Sequence, residues 1–279
     1  MPYILRTHHL TKTIGGKNIV EDVNLHVKAG EIYGFLGPNG AGKTTVMKMI
    51  CNLWKPTSGE IEVFGTPLMP DSYEVLKRMG SIIEFPAFYD NMTGYQNLKL
   101  HCEYMGYYKH GCIENALEML GLKEAEGKKV KSYSLGMKER LGIARAILCK
   151  PELLILDEPT NGLDPAGMKQ IRDLLKMLAD EYNTTVLISS HILSEIESIA
   201  DTIGIIHHGK LQKEISMTEI EQMNLAYIEV KVSNTKQAAF VLSDKMETQN
   251  FKIADNGEIR IYDSKISIPE LAKTFALHD

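Results

Sequence analysis

The chain has 279 residues, and its acidic residues outnumber its basic ones by 36 to 31, so the formal net charge is −5. Apolar residues make up 44% and charged residues 24%, which suits a globular protein with a sizeable core. The charge balance argues against a protein that lives on nucleic acid, which usually shows a basic excess. No stretch approaches the roughly 18 consecutive apolar residues of a membrane span, and the start does not resemble a secretory signal.

The cysteines allow two interpretations. Cys51, Cys102, Cys112 and Cys149 form no C-x-x-C pair, although a disulfide or a metal site among them is one possibility. The other is that they are reduced, packed thiols of a cytoplasmic protein, and the apolar stretches around Cys51 and Cys149 favour it.

Of the histidines, we expect eight to be ordinary exposed loop or strand-end residues, and one, discussed below, to be functional.

Strand and helix patterns alternate through about residue 215. EIYGFLG (31–37) predicts a strand that enters a Gly-rich turn, and TTVMKMICNL (44–53) predicts a buried helix because apolar residues recur at helical spacing. Lys55–Gly59 breaks that helix. Further strands are predicted at 60–65, 153–159 and 184–191, and further helices near 73–79, 94–105, 112–120, 134–148 and 166–181. Strands separated by helices indicate an α/β fold with a parallel sheet covered on both faces.

The pattern changes after Ile215. A strand (227–232), a helix (236–245), a hairpin (251–263) with Asn256-Gly257 at its turn and a helix (266–277) follow one another. This β-α-β-β-α segment is short for a domain that folds alone. We therefore predict a main domain over 1–215, a boundary near 215–225, and a small α+β appendage over 220–279.

The most specific local motif is GPNGAGKT, which matches G-x-x-x-x-G-K-[ST] between a predicted strand and a predicted helix. Glycines let backbone N–H groups wrap a phosphate closely, and the helix directs its first N–H groups at the same anion. Lys43 supplies a cation for the outer phosphates, and Thr44 supplies a hydroxyl for Mg²⁺. The predicted phosphate-binding residues are Gly37, Pro38, Asn39, Gly40, Ala41, Gly42, Lys43, Thr44 and Thr45.

An acidic pair follows the apolar run Leu153–Leu156. Asp157 falls at the C-terminal end of that strand, where parallel sheets bind ligands. A carboxylate at this place can hold Mg²⁺ directly or through water. Glu158 comes next and can act as a general base on an attacking water.

A phosphate loop alone is compatible with kinases, GTPases, helicases and transporter ATPases. The stretch SYSLGMKERLGIARAILCKPELLILDEPTNGLDP (132–165) resembles the ABC ATPases, with a signature motif, the acidic pair and a Gly-Leu-Asp-Pro turn in the family's order. Its signature core resembles the divergent form of bacitracin-resistance and lantibiotic-immunity transporters. Ser134 is also a good helix cap, so its hydroxyl and nearby N–H groups form an anion site.

The resemblance implies a P-loop NTPase core with a helical subdomain at about 85–145, ATP and Mg²⁺ as cofactors, and two chains that sandwich two ATP molecules. Ser134, Gly136 and Asp164 would act across that interface. His191, after the strand 184–190, matches the histidine that contacts the γ-phosphate and helps to position the water. Membrane permease subunits are the implied partners, and the implied location is cytoplasmic, peripheral to the inner face of the cell membrane.

Two positions depart from the family pattern. Ile14 stands where many ABC ATPases have an aromatic residue that stacks on adenine, so only apolar contact is left there. Glu84 stands where the family usually has Gln, and an ionised Glu offers acceptors only. Glu84 is a candidate ligand of Mg²⁺ or of its water, and it resembles the lantibiotic-immunity ATPases. The alternative is a loop substitution without subfamily meaning.

Three aromatic residues, Phe85, Phe88 and Tyr89, follow Glu84. They suit either docking of a membrane subunit or packing within the helical subdomain.

Taken together, the sequence predicts the ATP-hydrolysing subunit of an ABC exporter that confers self-immunity to a lantibiotic or related peptide antibiotic. The alternatives are an exporter for another substrate and a soluble ABC protein of translation or DNA repair. A nucleotide kinase is opposed by the signature stretch.

Overall fold

The computed structural model describes residues 2–223, 228–232, 234–246, 248, 251–253, 258–261 and 266–277. The chain divides into two units, Met1–Met217 and Thr218–Asp279. The division falls within the window 215–225, where the sequence pattern changes.

The first unit contains two sheets and the helices around them. Its strands are β1 (Tyr3–Ile14), β2 (Lys17–Val23), β3 (His26–Lys28), β4 (Ile32–Leu36), β5 (Ser58–Val63), β6 (Thr66–Pro67), β7 (Met79–Ile82), β8 (Leu153–Asp157), β9 (Thr185–Ser190), β10 (Thr202–His207) and β11 (Lys210–Ser216). Its helices are α1 (Lys43–Ile50), α2 (Tyr73–Lys77), α3 (Gly94–Met105), α4 (Cys112–Met119), α5 (Leu135–Ile147), α6 (Pro165–Tyr182) and α7 (Leu193–Glu197). Short 3₁₀ turns at Lys123–Ala125 and Val130–Ser132 precede α5, and α8 (Met217–Met223) follows β11.

The central sheet has the strand order β11-β10-β4-β9-β8-β7. All neighbours in it are parallel except β10 and β11, which confirms the predicted parallel sheet. Every residue of β8 and of β9 is buried, as expected for strands covered on both faces. The C-terminal ends of parallel strands lie at one edge, so the loops after β4, β8 and β9 share an edge of this sheet.

A second sheet, which the sequence patterns did not predict in full, is antiparallel. It has the order β2-β1-β5-β6, and β3 also pairs with β1. The β1–β2 register shifts between Leu10 and Lys12 and again between Lys12 and Thr13. Each shift interrupts the two-residue alternation by which a strand is identified, which is why β1 was hard to predict. Helix α1 buries Val46 and Met47 in a core that contains residues of both sheets.

A helical insertion lies between β7 and β8, where the subdomain at about 85–145 was predicted. Its helices α3, α4 and α5 pack on one another, and α5 also packs on β7. That last contact requires a glycine, because a Cβ at Gly80 would lie 2.1 Å from the carbonyl oxygen of Ala146. Thr93 begins α3 with a complete capping box, and Ser134 begins α5.

The second unit contains β12 (Ile228–Val230), α9 (Thr235–Asp244), β13 (Phe251–Ile253), β14 (Ile259–Ile261) and α10 (Ile268–Leu277). The strands form an antiparallel sheet in the order β12-β14-β13. Its core contains Leu242, Ile259, Ile261 and Leu271. The predicted hairpin turn at Asn256-Gly257 lies outside the described residues.

All four cysteines are free, and Cys51 and Cys102 are buried. Burial raises the pKa of the Cys51 thiol to about 12, so it is protonated and packed.

The expectation that eight histidines are exposed loop or strand-end residues was wrong at several positions: His8 and His9 lie inside β1, and His101 lies inside a helix, while His278 lies outside the described residues. His101 lies within α3 and is half-buried, and burial lowers its pKa, with a further contribution from Arg145.

Candidate nucleotide-binding site

The loop between β4 and α1 has the backbone shape of a phosphate cradle. Gly40 and Gly42 adopt φ values of 79° and 108°, which side-chain-bearing residues rarely adopt. A Cβ at Gly37 would lie 2.4 Å from the carbonyl oxygen of Ile206. Gly42 also precedes α1 without any side-chain cap, so the first N–H groups of that helix are left for another acceptor. Pro38 and Asn39 are exposed at the rim of the loop, Ala41 is buried, and Thr45 lies on the first turn of α1.

Lys43 is folded into this loop and is only 4% exposed. Its Nζ donates to the carbonyl oxygens of Gly37 at 2.6 Å and Pro38 at 3.2 Å. It also lies 3.1 Å from Oε1 of Glu158. The buried ammonium is therefore paired and hydrogen-bonded, as such a charge must be.

A second cluster joins the loop to the ends of β8 and β9. Thr44 Oγ1 donates to Oδ2 of Asp157 at 2.7 Å, and Ser189 Oγ donates to Oδ1 of the same carboxylate at 2.7 Å. The Ser189 hydroxyl also accepts from the backbone N–H of Glu158 at 2.9 Å. Hydroxyl and carboxylate oxygens are the donors that Mg²⁺ prefers, so Thr44 and Asp157 fit that ion. Ser189 was not predicted, although a buried Ser-Ser at the end of an apolar strand was a visible signal.

Glu158 lies at the centre of the site with φ at 49°. Its Oε2 accepts from Nδ2 of Asn161 at 2.7 Å and lies 3.1 Å from Nδ1 of His191. Burial raises the pKa of Glu158, but Lys43, Asn161 and His191 together outweigh that effect and lower it. The carboxylate is therefore ionised near neutral pH and can accept a proton. Asn161 is a further residue that the sequence reasoning missed.

Glu84 follows β7 with φ at 61°. Its Oε1 lies 2.7 Å from Nζ of Lys48, on α1. In the part of the chain that the structure describes, no hydrogen bond or ion pair joins Glu84 to Thr44 or Asp157. Its role as a magnesium ligand stays a prediction.

Ser134, Gly136 and Asp164 come together elsewhere, in a groove of about 450 Å³ that Arg140 and Gln170 also line. Ser134 caps α5 by accepting from the N–H of Met137 at 3.3 Å, and Asp164 caps α6 by accepting from the N–H of Gly167 at 3.0 Å. Across the described ranges, no hydrogen bond or ion pair connects this groove with the cluster around Lys43, Asp157 and Glu158. The two groups of residues therefore lie at separate places on the first unit.

The remaining predicted residues lie on the surface. Ile14 is exposed at the end of β1. Phe85 and Tyr89 are 77% and 57% exposed, so they do not pack into the helical subdomain. Phe88 differs, because it is half-buried with the Arg145 guanidinium 4.9 Å from its ring centroid. None of the helices that the structure describes is long and apolar enough to cross a membrane.

Comparisons with known proteins agree with this arrangement. A family model described as ABC transporter matches residues 20–161. The bacitracin transport ATP-binding protein BcrA of Bacillus licheniformis is 48% identical over 94% of this chain and 86% of its own. The lantibiotic transport ATP-binding protein SrtF of Streptococcus pyogenes is 43% identical over 77% of this chain and 93% of its own.

Among solved structures, the dimeric structure of MJ0796, a bacterial ABC transporter cassette, superposes with a TM-score of 0.71 at 26% identity, covering 76% of this chain and 98% of the other. The family model covers the phosphate loop, the signature core around Ser134 and the acidic pair, and the solved cassette shares the fold that brings the phosphate loop, Asp157 and Glu158 to one edge of the sheet. The chain belongs to the ABC transporter family, and its first unit is an ATP-binding cassette.

Proposed function

We propose that this chain is the ATP-hydrolysing subunit of an ABC exporter that removes a peptide antibiotic of the bacitracin or lantibiotic class and so gives its host self-immunity. The observation that carries the hydrolytic part is the position of Glu158. Its ionised carboxylate lies between the phosphate-loop cation Lys43 and His191, next to Asp157 and Thr44. A base beside a phosphate cradle and a set of magnesium-type donors is the arrangement that phosphoryl transfer to water requires.

Each residue then has a defined task. The loop N–H groups and Lys43 would bind the phosphates, and Thr44 and Asp157 would hold Mg²⁺, which would supply positive charge to the phosphate oxygens. Glu158 accepts the proton of the attacking water. Asn161 and His191 keep that carboxylate oriented through contacts of 2.7 and 3.1 Å.

Two chains complete the site. The groove that contains Ser134, Gly136 and Asp164 presents the capped start of α5, an anion-binding arrangement that the chain's own phosphate loop does not contact. A second copy would bring its bound ATP to this groove, giving two ATP molecules between two chains. The dimeric MJ0796 structure, which shares the fold, supports this assembly.

A membrane permease is the second partner. Phe85, Tyr89 and Tyr104 are exposed aromatic side chains of the helical subdomain, and exposed aromatic residues of this kind are typical of protein interfaces. Arg145, on α5, holds the loop between Phe85 and Tyr89 in place, because its Nη1 donates to the carbonyl oxygen of Ala87 at 2.7 Å. We infer that the chain sits in the cytoplasm at the inner face of the cell membrane, bound to its permease through this surface.

The substrate class follows from how far the similarity extends. The first unit ends at Met217, so a match over 94% of the chain to BcrA continues well into the second unit, whereas the 77% match to SrtF is about the length of the first unit. Both relatives are named for transport of peptide antibiotics. A resemblance that includes the appendage favours the bacitracin class over an unrelated substrate.

The test is a resistance assay. The chain is co-expressed with the products of its neighbouring genes, among which we expect a permease, in a sensitive host, and the inhibitory concentrations of bacitracin and of a lantibiotic are measured. We expect resistance to rise with the wild-type pair and to return to the level of the empty host with Glu158→Gln. The chain should also be found in the membrane fraction only when the permease is present. ATPase activity without resistance to either peptide would indicate an exporter for another substrate.

A further inference from the structure

Glu84 brings an additional negative charge to a region already rich in carboxylates, and the structure shows what offsets it. The neutralising group is Lys48, which follows Thr44 by four residues on α1. Residues four apart on a helix lie on the same face. Lys48 is therefore one helical turn from the hydroxyl that is hydrogen-bonded to Asp157, on the side of α1 that faces the magnesium-type donors.

The two members of this pair are held very differently. The Lys48 side chain is 16% exposed, whereas the Glu84 side chain is 59% exposed, and their charged atoms are 2.7 Å apart. Glu84 also has φ at 61°, a backbone conformation that is uncommon for a residue with a side chain. The cation is thus the fixed partner, and the carboxylate on its loop is the group that can move.

Lys48 has a second contact that fixes its position. Its Nζ lies 4.8 Å from the ring centroid of Trp54, which is the one tryptophan of the chain. Lys12 approaches the same ring at 5.8 Å and donates to the carbonyl oxygen of Lys55 at 2.6 Å. An indole face attracts a cation, so Trp54 holds the Lys48 ammonium next to Glu84.

We propose that Lys48 is a positioning residue that holds Glu84 beside the nucleotide site and competes with Mg²⁺ for its carboxylate, so that the Lys48–Glu84 pair opens when the magnesium nucleotide binds. The inference rests on the proposed nucleotide function. Ammonium and Mg²⁺ are both cations that an ionised carboxylate can pair with, and the exposed Glu84 side chain has room to leave one for the other. Trp54, whose ring lies against the Lys48 ammonium, reports on the pair.

Competition between Lys48 and Mg²⁺ for the Glu84 carboxylate predicts the direction in which the Mg²⁺ dependence of nucleotide binding changes. Lys48→Met removes the competitor, so a lower Mg²⁺ concentration should be enough for half-maximal binding of a non-hydrolysable ATP analogue. For a partly exposed ion pair we expect a decrease of about 2- to 5-fold. Lys48→Arg keeps the cation and should keep the Mg²⁺ dependence near that of the wild type.

The experiment uses two readouts on the full chain. Calorimetry gives the Mg²⁺ dependence of analogue binding for wild type, Lys48→Met, Glu84→Gln and the double variant, and Trp54 fluorescence follows a Mg²⁺ titration at saturating analogue in wild type and Glu84→Gln. We expect a saturable fluorescence change in wild type that Glu84→Gln largely removes. Lys48→Met should have no further effect on Mg²⁺ dependence once residue 84 is Gln. Lys12→Met is the matched control, because it removes the other cation from the Trp54 ring without touching Glu84.

Two results would overturn the proposal. One is a Lys48→Met shift of the same size in the Glu84→Gln background, which would mean that Lys48 acts on the site without Glu84. The other is a Trp54 signal in wild type that stays constant while calorimetry shows Mg²⁺-dependent binding. In both cases nucleotide binding itself survives, so the proposed function stands. A wild-type chain that binds no analogue at any Mg²⁺ concentration would refute both.

Discussion

The two half-sites of the cassette are built in opposite ways. In the phosphate half-site, which comprises Lys43, Thr44, Asp157, Glu158 and His191, each side chain contacts another residue of the same chain at 2.6–3.1 Å. In the signature half-site, Ser134 and Asp164 cap their own helices, and the groove between them opens outward. Hydrogen bonds and ion pairs within the chain hold the phosphate half-site in shape, whereas the signature half-site is an open groove on the surface.

This difference indicates which steps of ATP binding and hydrolysis depend on one chain and which depend on a second. A network with paired charges keeps its geometry before any ligand arrives, which is the preorganisation that charge stabilisation requires. A capped helix start in an open groove is ready to meet an anion delivered from outside. We therefore expect changes in the phosphate half-site to affect binding or chemistry within one chain, and changes in the signature half-site to affect only steps that need a second chain.

The largest effect should come from Glu158→Gln. Gln has nearly the same size but cannot accept the proton of the attacking water, and loss of a general base typically lowers a rate by about 10²–10⁴-fold. The rate of phosphate release should fall by that factor, while the affinity for ATP measured by calorimetry is kept. An ATP-dependent dimer should accumulate in size-exclusion chromatography. Glu181→Gln, which changes an exposed carboxylate on α6, is the control, and near-normal turnover in Glu158→Gln would remove Glu158 from the role of base.

Lys43→Ala should weaken ATP binding by about 10- to 100-fold, because a charge-assisted hydrogen bond to a phosphate is lost. The fold should persist, since Lys43 lies in a loop-to-helix junction and not in the apolar core. Calorimetry with ATP and circular dichroism test the two statements. Lys17→Ala removes an exposed lysine from β2 and serves for comparison. Equal ATP affinity in wild type and Lys43→Ala would contradict the assignment of 37–44 as the phosphate cradle.

Ser134→Arg examines the signature half-site alone. The large cation should block the groove and lower ATP turnover by about tenfold or more, while ATP affinity of the single chain changes by less than about twofold. Ser134→Arg also removes a helix cap, so a control for cap loss is needed. Thr93→Ala serves as this control, because it removes the cap of α3 and leaves the groove intact. If Ser134→Arg weakened ATP binding by the isolated chain, the two half-sites would not be independent.

The smallest effect concerns the stability of the fold. It tests the protonation of a buried carboxyl on α5, the helix that Ser134 begins. Glu139 is buried on this helix, and burial raises the pKa of its carboxyl to about 7 from an ordinary value of 4.5. The folded state therefore favours the protonated form, and the resulting loss of stability grows as the pH rises from 4.5 to 7 and is complete above 7.

Glu139→Gln removes this titration. We expect it to increase the free energy of unfolding by roughly 1–3 kcal/mol at pH 8 and by much less at pH 5. Urea denaturation of both proteins at the two pH values measures the difference. A gain of the same size at both would show that the carboxyl is not protonated on folding.

Much of the site could be predicted because its residues follow local patterns. The phosphate loop is a contiguous motif between a strand and a helix, and Asp157 and Glu158 directly follow an apolar run. The cap at Ser134 is also a local feature, and the structure shows it at the start of α5. Where apolar periodicity was regular, as in α3, α5 and α6, the predicted helices agree with the observed ones to within one or two residues at each end.

The sequence by itself determined the motif chemistry, the four main-domain strands that follow apolar runs, the helices between them and the family resemblance, because each depends on residues that are neighbours along the chain. Only the tertiary structure decided which distant residues meet. Ser189 reaches Asp157 across 32 positions, and Lys48 reaches Glu84 across 36. Such contacts cannot be predicted from sequence periodicity, because a single polar residue at a strand end or on a helix face is compatible with many different partners. The bulged strand β1 was missed for the related reason that its pairing with three other strands, and not its own alternation, defines it.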